Sequence, residues 1–285
     1  MKYLALLLFG FIIQETNAAT INVRLVIQSG TVTLSNGTAD CKTFSTNSLF
    51  QNNSDIFVWN TNDDVNLRVV NFDNEEHGFT IDGYTSFGTI AVGDSIEQNI
   101  VLSNSGVFRY YDDLNYPFNA YLGLSGIIHV KDASDSTPYF YWDLREFQEA
   151  WNTQVIGGSN PTLTNYDPEH FLINGNFYPD TNSDPLARIT GNVGNEFKLV
   201  IVNNGLSIHS LHFHGYHLTV EADSKHNYTI GRSKDTFPVY PDEFVVLSCT
   251  PDKVGEYPIH DHNLVAVTGG GQYGTGMFLT LLIAP

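Results

Sequence analysis

Basic residues are scarce: 13 Lys and Arg stand against 31 Asp and Glu in 285 residues, a formal charge of −18. A broad nucleic-acid surface needs clustered cations to neutralise phosphates, so that class is excluded. Adsorption to an anionic membrane is excluded on the same ground. Charged residues of both signs reach only 15%, against 42% hydrophobic residues. That much apolar side chain can bury a core, which excludes a disordered acidic chain. Only two cysteines are present, Cys41 and Cys249, so one disulfide is the most the chain can form. Past the N-terminus no apolar run approaches the length of a bilayer span.

The N-terminus carries the one apolar run. Lys2 precedes Tyr3–Ile13, and Thr16, Asn17, Ala18 and Ala19 follow. A charged start, a short hydrophobic stretch and a small-residue cleavage zone predict a secretory signal peptide over residues 1–19, the run being short for an anchor. The expected location is secreted or periplasmic. In an oxidising compartment Cys41 and Cys249 are candidates for one long-range disulfide, which the sequence leaves open. Asn36, Asn52 and Asn227 head N-glycosylation acceptor patterns, which matter only in a eukaryotic host.

Beyond residue 19, Ile21–Ile27, Asn66–Val70, Phe197–Val202 and Phe244–Leu247 are β-rich apolar segments separated by Asn, Gly, Asp and Ser clusters. Many short strands with frequent turn signals predict an all-β protein of sandwich type. The one helical expectation is the stretch Trp142–Trp151, and Gly269–Gly271 is expected to be a flexible loop. Leu67–Tyr84 aligns without a gap to Leu199–Tyr216 at an offset of 132, matching Leu, Val, Asn, His, Gly and Tyr. Gly106–Asp113 likewise matches Gly255–His262. Two copies of one sandwich account for this, at residues 20–131 and 132–285, with a linker-like seam near Lys131–Pro138.

Six of the ten histidines fall in or beside two motifs, His209-x-x-His212-x-His214 with His217 just beyond, and His260-x-His262. On a strand alternate side chains share a face, so His212 and His214 project together, as do His260 and His262. Four imidazoles from two strands make a site for copper or zinc. The plainer reading is four solvated histidines, against which two His-x-His motifs in one domain weigh heavily. His129, His170 and His226 belong to no pattern, and the run Tyr139–Trp142 is expected to pack in a core.

These motifs, with Phe171–Pro179 upstream, resemble the multicopper oxidases and their two-domain relatives, built from cupredoxin domains. The resemblance implies two tandem Greek-key cupredoxin-like sandwiches. It also implies that His209 stands at a type 1 copper position, and that His212, His214, His260 and His262 stand at type 2 and type 3 positions. The departures weigh as much. Asp261 stands where the family has the type 1 Cys, and Ala266 where it has a later type 1 His, while Met277 resembles the axial Met. In the first domain His77 matches the type 1 His, but Asp112 and Ile127 replace Cys and Met. A blue copper centre needs its thiolate, so neither domain is expected to build one. Thr80, Asp82, Tyr111 and Asp113 occupy the first domain's places for the other four imidazoles.

The expectation is therefore one metal on four histidines, or two if Asp82 or Asp113 joins from a facing domain. His77 and His209 are expected to be packed and hydrogen-bonded, with a weaker second site from His209, Asp261 and Met277 left open. Copper is the expected cofactor, with zinc as the competitor. Function divides between a copper-dependent oxidoreductase acting on a small molecule and an extracytoplasmic protein that sequesters or delivers copper ions. A third, weaker reading is a scaffold whose metal stabilises an interface. The two-domain relatives further imply a homotrimer with metal at its subunit junctions.

Overall fold

The computed structural model describes residues 19–285. The signal-peptide reading therefore lies, Ala19 apart, outside the described residues. Among the described residues no helix is long and apolar enough to cross a membrane. The chain folds as two β-sandwiches.

Thr20–Thr33 alternates inward apolar and outward polar residues over most of its length, with Leu25, Val26 and Ile27 buried together at its centre. It pairs antiparallel with Thr38–Ser45 and parallel with Asp64–Asn71, and Ser95–Val101 closes that sheet. The facing sheet orders Ile56–Asn60, Ser125–Lys131, Gly106–Tyr111, Thr80–Ile81 and Thr85–Ser86. Leu25, Ile27, Phe44, Leu67, Phe79 and Tyr110 fill the space between them.

In the second sandwich the larger sheet is built around Tyr139–Phe147, Phe197–Asn203 and Phe244–Cys249. The smaller sheet orders Thr190–Asn192, Phe278–Ala284, Gly255–Asp261, His209–Phe213 and Thr236–Val239. Trp142 stacks on Phe213 at 5.7 Å between the sheets. Each such buried side chain contributes on the order of 2 kcal/mol.

The helix expected around Trp142–Trp151 is corrected. Tyr139–Phe147 is a strand, and the helix occupies Glu149–Ile156. Both strand faces are covered: Phe140, Trp142 and Leu144 enter the second core, while Tyr141 packs with Val107 and Ile127 of the first half. Phe147 joins a further cluster with Val32, Leu34 and Cys41. A strand buried on two faces shows no alternation of polarity, and its period is hidden.

Those two clusters join the sandwiches, and a buried polar chain runs beside them. Arg109 Nε donates to Asn204 Oδ1 (2.8 Å), Asn204 Nδ2 to Asp143 Oδ1 (2.9 Å), and Arg145 Nη2 to Asp143 Oδ2 (3.2 Å). Arg145 Nη1 reaches the Ala120 carbonyl at 2.8 Å. Removing one member strands the others without solvent, at a cost of about 3–5 kcal/mol.

Two further expectations change. Gly269–Gly271 is an ordered turn: Thr268–Gly269 and Gln272–Tyr273 pair across Gly270 and Gly271, whose φ values of 55° and 79° suit a two-residue hairpin. The candidate disulfide between Cys41 and Cys249 is not formed. Both thiols are free and buried, Cys41 in the cluster between the sandwiches and Cys249 in the second core. Each is an apolar filler in a different core. Burial pushes Cys41 up to about 12 and Cys249 up to about 11, so neither is a ready thiolate. Thiol titration should find two reactive groups in denaturant and neither reacting rapidly in native protein. A single disulfide recovered without reductant would contradict this packing.

Candidate metal centre

The register between two strands builds the site. Leu211 pairs with Asp261, His212 with His260 and Phe213 with Ile259. Inner positions alternate with outer ones, so His209, Leu211, Phe213, Ile259 and Asp261 are buried while His212, His214, His260 and His262 lie on the outer face. His212 and His214 rings stack at 4.5 Å, and His214 and His260 rings lie 5.2 Å apart. Ligand nitrogens of His212, His214 and His260 all fall within 4.8 Å of one another. His262 stands aside from that trio, its ring 5.5 Å from that of His212. The structure thus converges three of the four expected imidazoles and leaves the fourth adjacent.

The donor set fits copper. His260 Nδ1 lies 2.9 Å from the Asp261 carbonyl, which can only accept, so that nitrogen carries the proton. Its Nε2 lone pair is left facing His214 Nε2 at 3.0 Å. His212 is held below the usual imidazole range by burial first, then by His214, with His260 and His262 adding to it. Neutral, electron-rich imidazole nitrogens are what Cu(II) or Zn(II) takes. A recess of about 360 Å3 opens over them, lined by His212, His214, His217, Asp235 and Lys253 among others. Asp235 Oδ2 lies 3.9 Å from His212 Nε2, and Lys253 Nζ sits over the rings of Tyr216 and Tyr257.

The inner face holds charge in place of metal. His209 Nδ1 bonds Asp261 Oδ2 at 2.7 Å and Nε2 bonds Glu146 Oε2 at 2.9 Å, all three residues being buried. Burial alone would lower His209, but its bonds to Asp261 and Glu146, and their charges, raise it to about 9. The first sandwich repeats the device: His77 Nδ1 bonds Asp112 Oδ2 at 2.6 Å and Nε2 bonds Asp73 Oδ2 at 2.8 Å. Burial opposes protonation there too, and the bonds to Asp112 and Asp73 raise His77. With both nitrogens engaged, neither His77 nor His209 offers a lone pair. The possible site of His209, Asp261 and Met277 is therefore not assembled: Met277 lies in the apolar core, touching Asp261 only by a backbone bond.

In the first sandwich Thr80 pairs with Tyr111, the places His212 and His260 hold in the second. Asp82 lies in a recess with Arg109 and Asp242, and exposed Asp113 is 3.5 Å from Ser86, so neither reaches the histidines of its own chain. Glu146 and Asp235 went unremarked in the sequence. Two carboxylates, Asp143 and Glu146, inside the largely apolar stretch Tyr139–Phe147 were the signal for the first; nothing marked the second. The remaining histidines have local partners: His170 with Glu149, His226 with Glu243, and His129 with Tyr141.

Residues 154–279 match the family model for multicopper oxidase. The fold is cupredoxin-like. The chain superposes on the blue copper oxidase from Nitrosomonas europaea with a TM-score of 0.77, 19% identity, and coverage of 93% of this chain and 86% of that one. It is similar to the multicopper oxidase mgLAC, at TM-score 0.76 and 20% identity over 94% of this chain and 88% of that one. The copper nitrite reductase from Nitrosomonas europaea follows at 0.70 and 15%, over 93% and 94%. Among curated proteins, none matches the sequence.

The buried imidazolium predicts a pH dependence. Its folded value of about 9 lies above the unfolded 6.5, so its contribution is complete below pH 6.5 and is lost as pH rises through 9. Urea unfolding should show stability falling as pH rises through that window, His209 supplying about 3 kcal/mol or less, and His209→Gln should reduce the slope, leaving the part that His77 supplies. Stability that is flat or rises there in the wild type contradicts the assignment.

Proposed function

We propose that this is an exported copper protein in which His212, His214 and His260, with His262 beside them, hold one copper ion, and that it acts as an oxidoreductase on a small molecule. The fold and the domain match are those of copper-binding, oxidase-like proteins. One observation carries the finer reading: three imidazole nitrogens converge within 4.8 Å on an open face, with the His260 proton fixed away from them. The apolar leader supports export.

A copper ion held by His212, His214 and His260 would supply one-electron redox chemistry. The chain's own groups do the rest. Lys253 places positive charge at the rim of the recess, and Asp235 places an acceptor beside His212. Lys253 suits a polar or anionic group on a small substrate, and Asp235 suits a hydrogen-bond donor on it. Without thiolates at Asp112 and Asp261 there is no blue centre to deliver electrons, so reduction must come from the substrate or an outside donor. The exposure of His214 and His262 favours a second reading, in which the site collects and hands on copper without turnover. Exposed Asp82 and Asp113 are open to the histidine face of another copy, which supports a homotrimer.

Metal analysis with electron paramagnetic resonance should find about one Cu(II) per chain, with no intense blue colour, in a particle of three chains by light scattering. His212→Ala or His260→Ala should weaken copper binding more than 100-fold, while His77→Ala retains it. Zinc in place of copper, or equal loss in the His77 variant, rejects the metal assignment. A metal-loaded monomer rejects the trimer alone. Turnover with a reductant favours the enzyme, and release to a chelator without turnover favours the carrier.

A further inference from the structure

The buried trio on the inner face touches none of the outer imidazoles, yet it is fastened to both strands that carry them. Asp261 stands between His260 and His262. Its Oδ2 accepts from His209 Nδ1, while Oδ1 accepts the backbone N–H of Ser210 (3.1 Å) and of Asn263 (2.8 Å). One carboxylate therefore clasps the His209–Phe213 strand to the residue that follows His262. Glu146 ties the other side of the ring to a third strand. Besides His209 it accepts the N–H of Leu206 (2.7 Å) and Ser207 (2.6 Å) and the hydroxyl of Tyr166 (3.0 Å).

Glu146 has its seat because residue 205 lacks a side chain. A Cβ on Gly205 would lie 1.8 Å from Glu146 Oε2. The position matching Gly205 in the first sandwich is Asp73, and there the second carboxylate on the imidazole is Asp73 itself. Asp73 is secured by Lys42 at 2.7 Å and by the Ser29 hydroxyl at 2.6 Å. Asp112 repeats the clasp, accepting the N–H of Gly78 (2.6 Å) and of Leu114 (2.9 Å). The two sandwiches thus reach one arrangement, carboxylate–imidazole–carboxylate, with the second carboxylate drawn from the strand Tyr139–Phe147 in one and from the bend after Asp64–Asn71 in the other. Only in the second do imidazoles flank the clasp; in the first its neighbours are Tyr111 and Asp113.

We propose that Asp261, His209 and Glu146 are positioning residues that set the spacing of His212 against His260 across the strand pair, a rigid strut standing where a second metal would otherwise sit. This rests on the copper reading above for its consequence, not for its geometry. A strut of fixed, fully bonded charges holds the strand pair in one register and resists shear. A purely apolar inner face would leave the outer imidazoles free to shift, and metal affinity is sensitive to such support.

The first sandwich supplies the control. Asp261→Asn and Gly205→Ala each loosen the second strut, the latter by displacing Glu146 without touching His209. Asp112→Asn loosens the first strut. In metal-free protein the imidazole resonances of His212 and His260 should move in Asp261→Asn and Gly205→Ala and stay in place in Asp112→Asn. Chelator competition should show copper affinity falling about 10–100-fold in the first two and unchanged in the third, although all three melt at lower temperature. If Asp261→Asn does not fold, Gly205→Ala carries the test. Folded variants of the second strut with wild-type resonances and affinity overturn the proposal, as does an equal effect of Asp112→Asn. If the wild type binds no copper, the metal reading fails, and the resonance shifts still decide the strut.

Discussion

The pairing of Leu211 with Asp261 and of His212 with His260 is the constraint from which the rest of the site follows. Because side chains on a strand alternate, one register sends four imidazoles outward and a carboxylate and His209 inward. A slip of one residue would bury the metal-binding face and expose a charged pair to solvent. Once the register holds, the inner charges must be satisfied without water. Asp261, His209 and Glu146 satisfy one another with the N–H groups of Leu206, Ser207, Ser210 and Asn263.

The two sandwiches differ mainly in what the outer face carries. Inside, each has a buried imidazole between two carboxylates, where a copper thiolate would be needed for a blue centre. Outside, the first shows Thr80, Asp82, Tyr111 and Asp113 and the second His212, His214, His260 and His262. The converging imidazoles are thereby confined to one surface of the second sandwich. The first contributes packing: Val107 and Ile127 meet Tyr141, Val32 and Leu34 meet Phe147, and Arg109 bonds Asn204.

The all-β class was legible because turn-separated β-rich segments such as Phe197–Val202 leave little alternative. The outward pairing of the histidines was legible from His-x-His spacing alone. What could not be read has a common cause. The strand Tyr139–Phe147 is buried on both faces, so its period disappears, its C-terminal half reads as part of a helix over Trp142–Trp151, and Glu146 within it loses its meaning as a partner of His209. The missing disulfide is a matter of distance in three dimensions: an even count of cysteines says nothing of whether Cys41 and Cys249 share a core. Asp235 reaches His212 only because Thr236–Val239 pairs beside the histidine strand, a contact between sequence-distant segments.

The central claim is that metal binds the outer face and not the buried pockets around His209 and His77. Anomalous diffraction at the copper edge from crystals of copper-loaded protein tests it directly. The account predicts one strong peak among His212, His214 and His260, with none at His209 or His77. A peak against His209, or none beside His212, would contradict it.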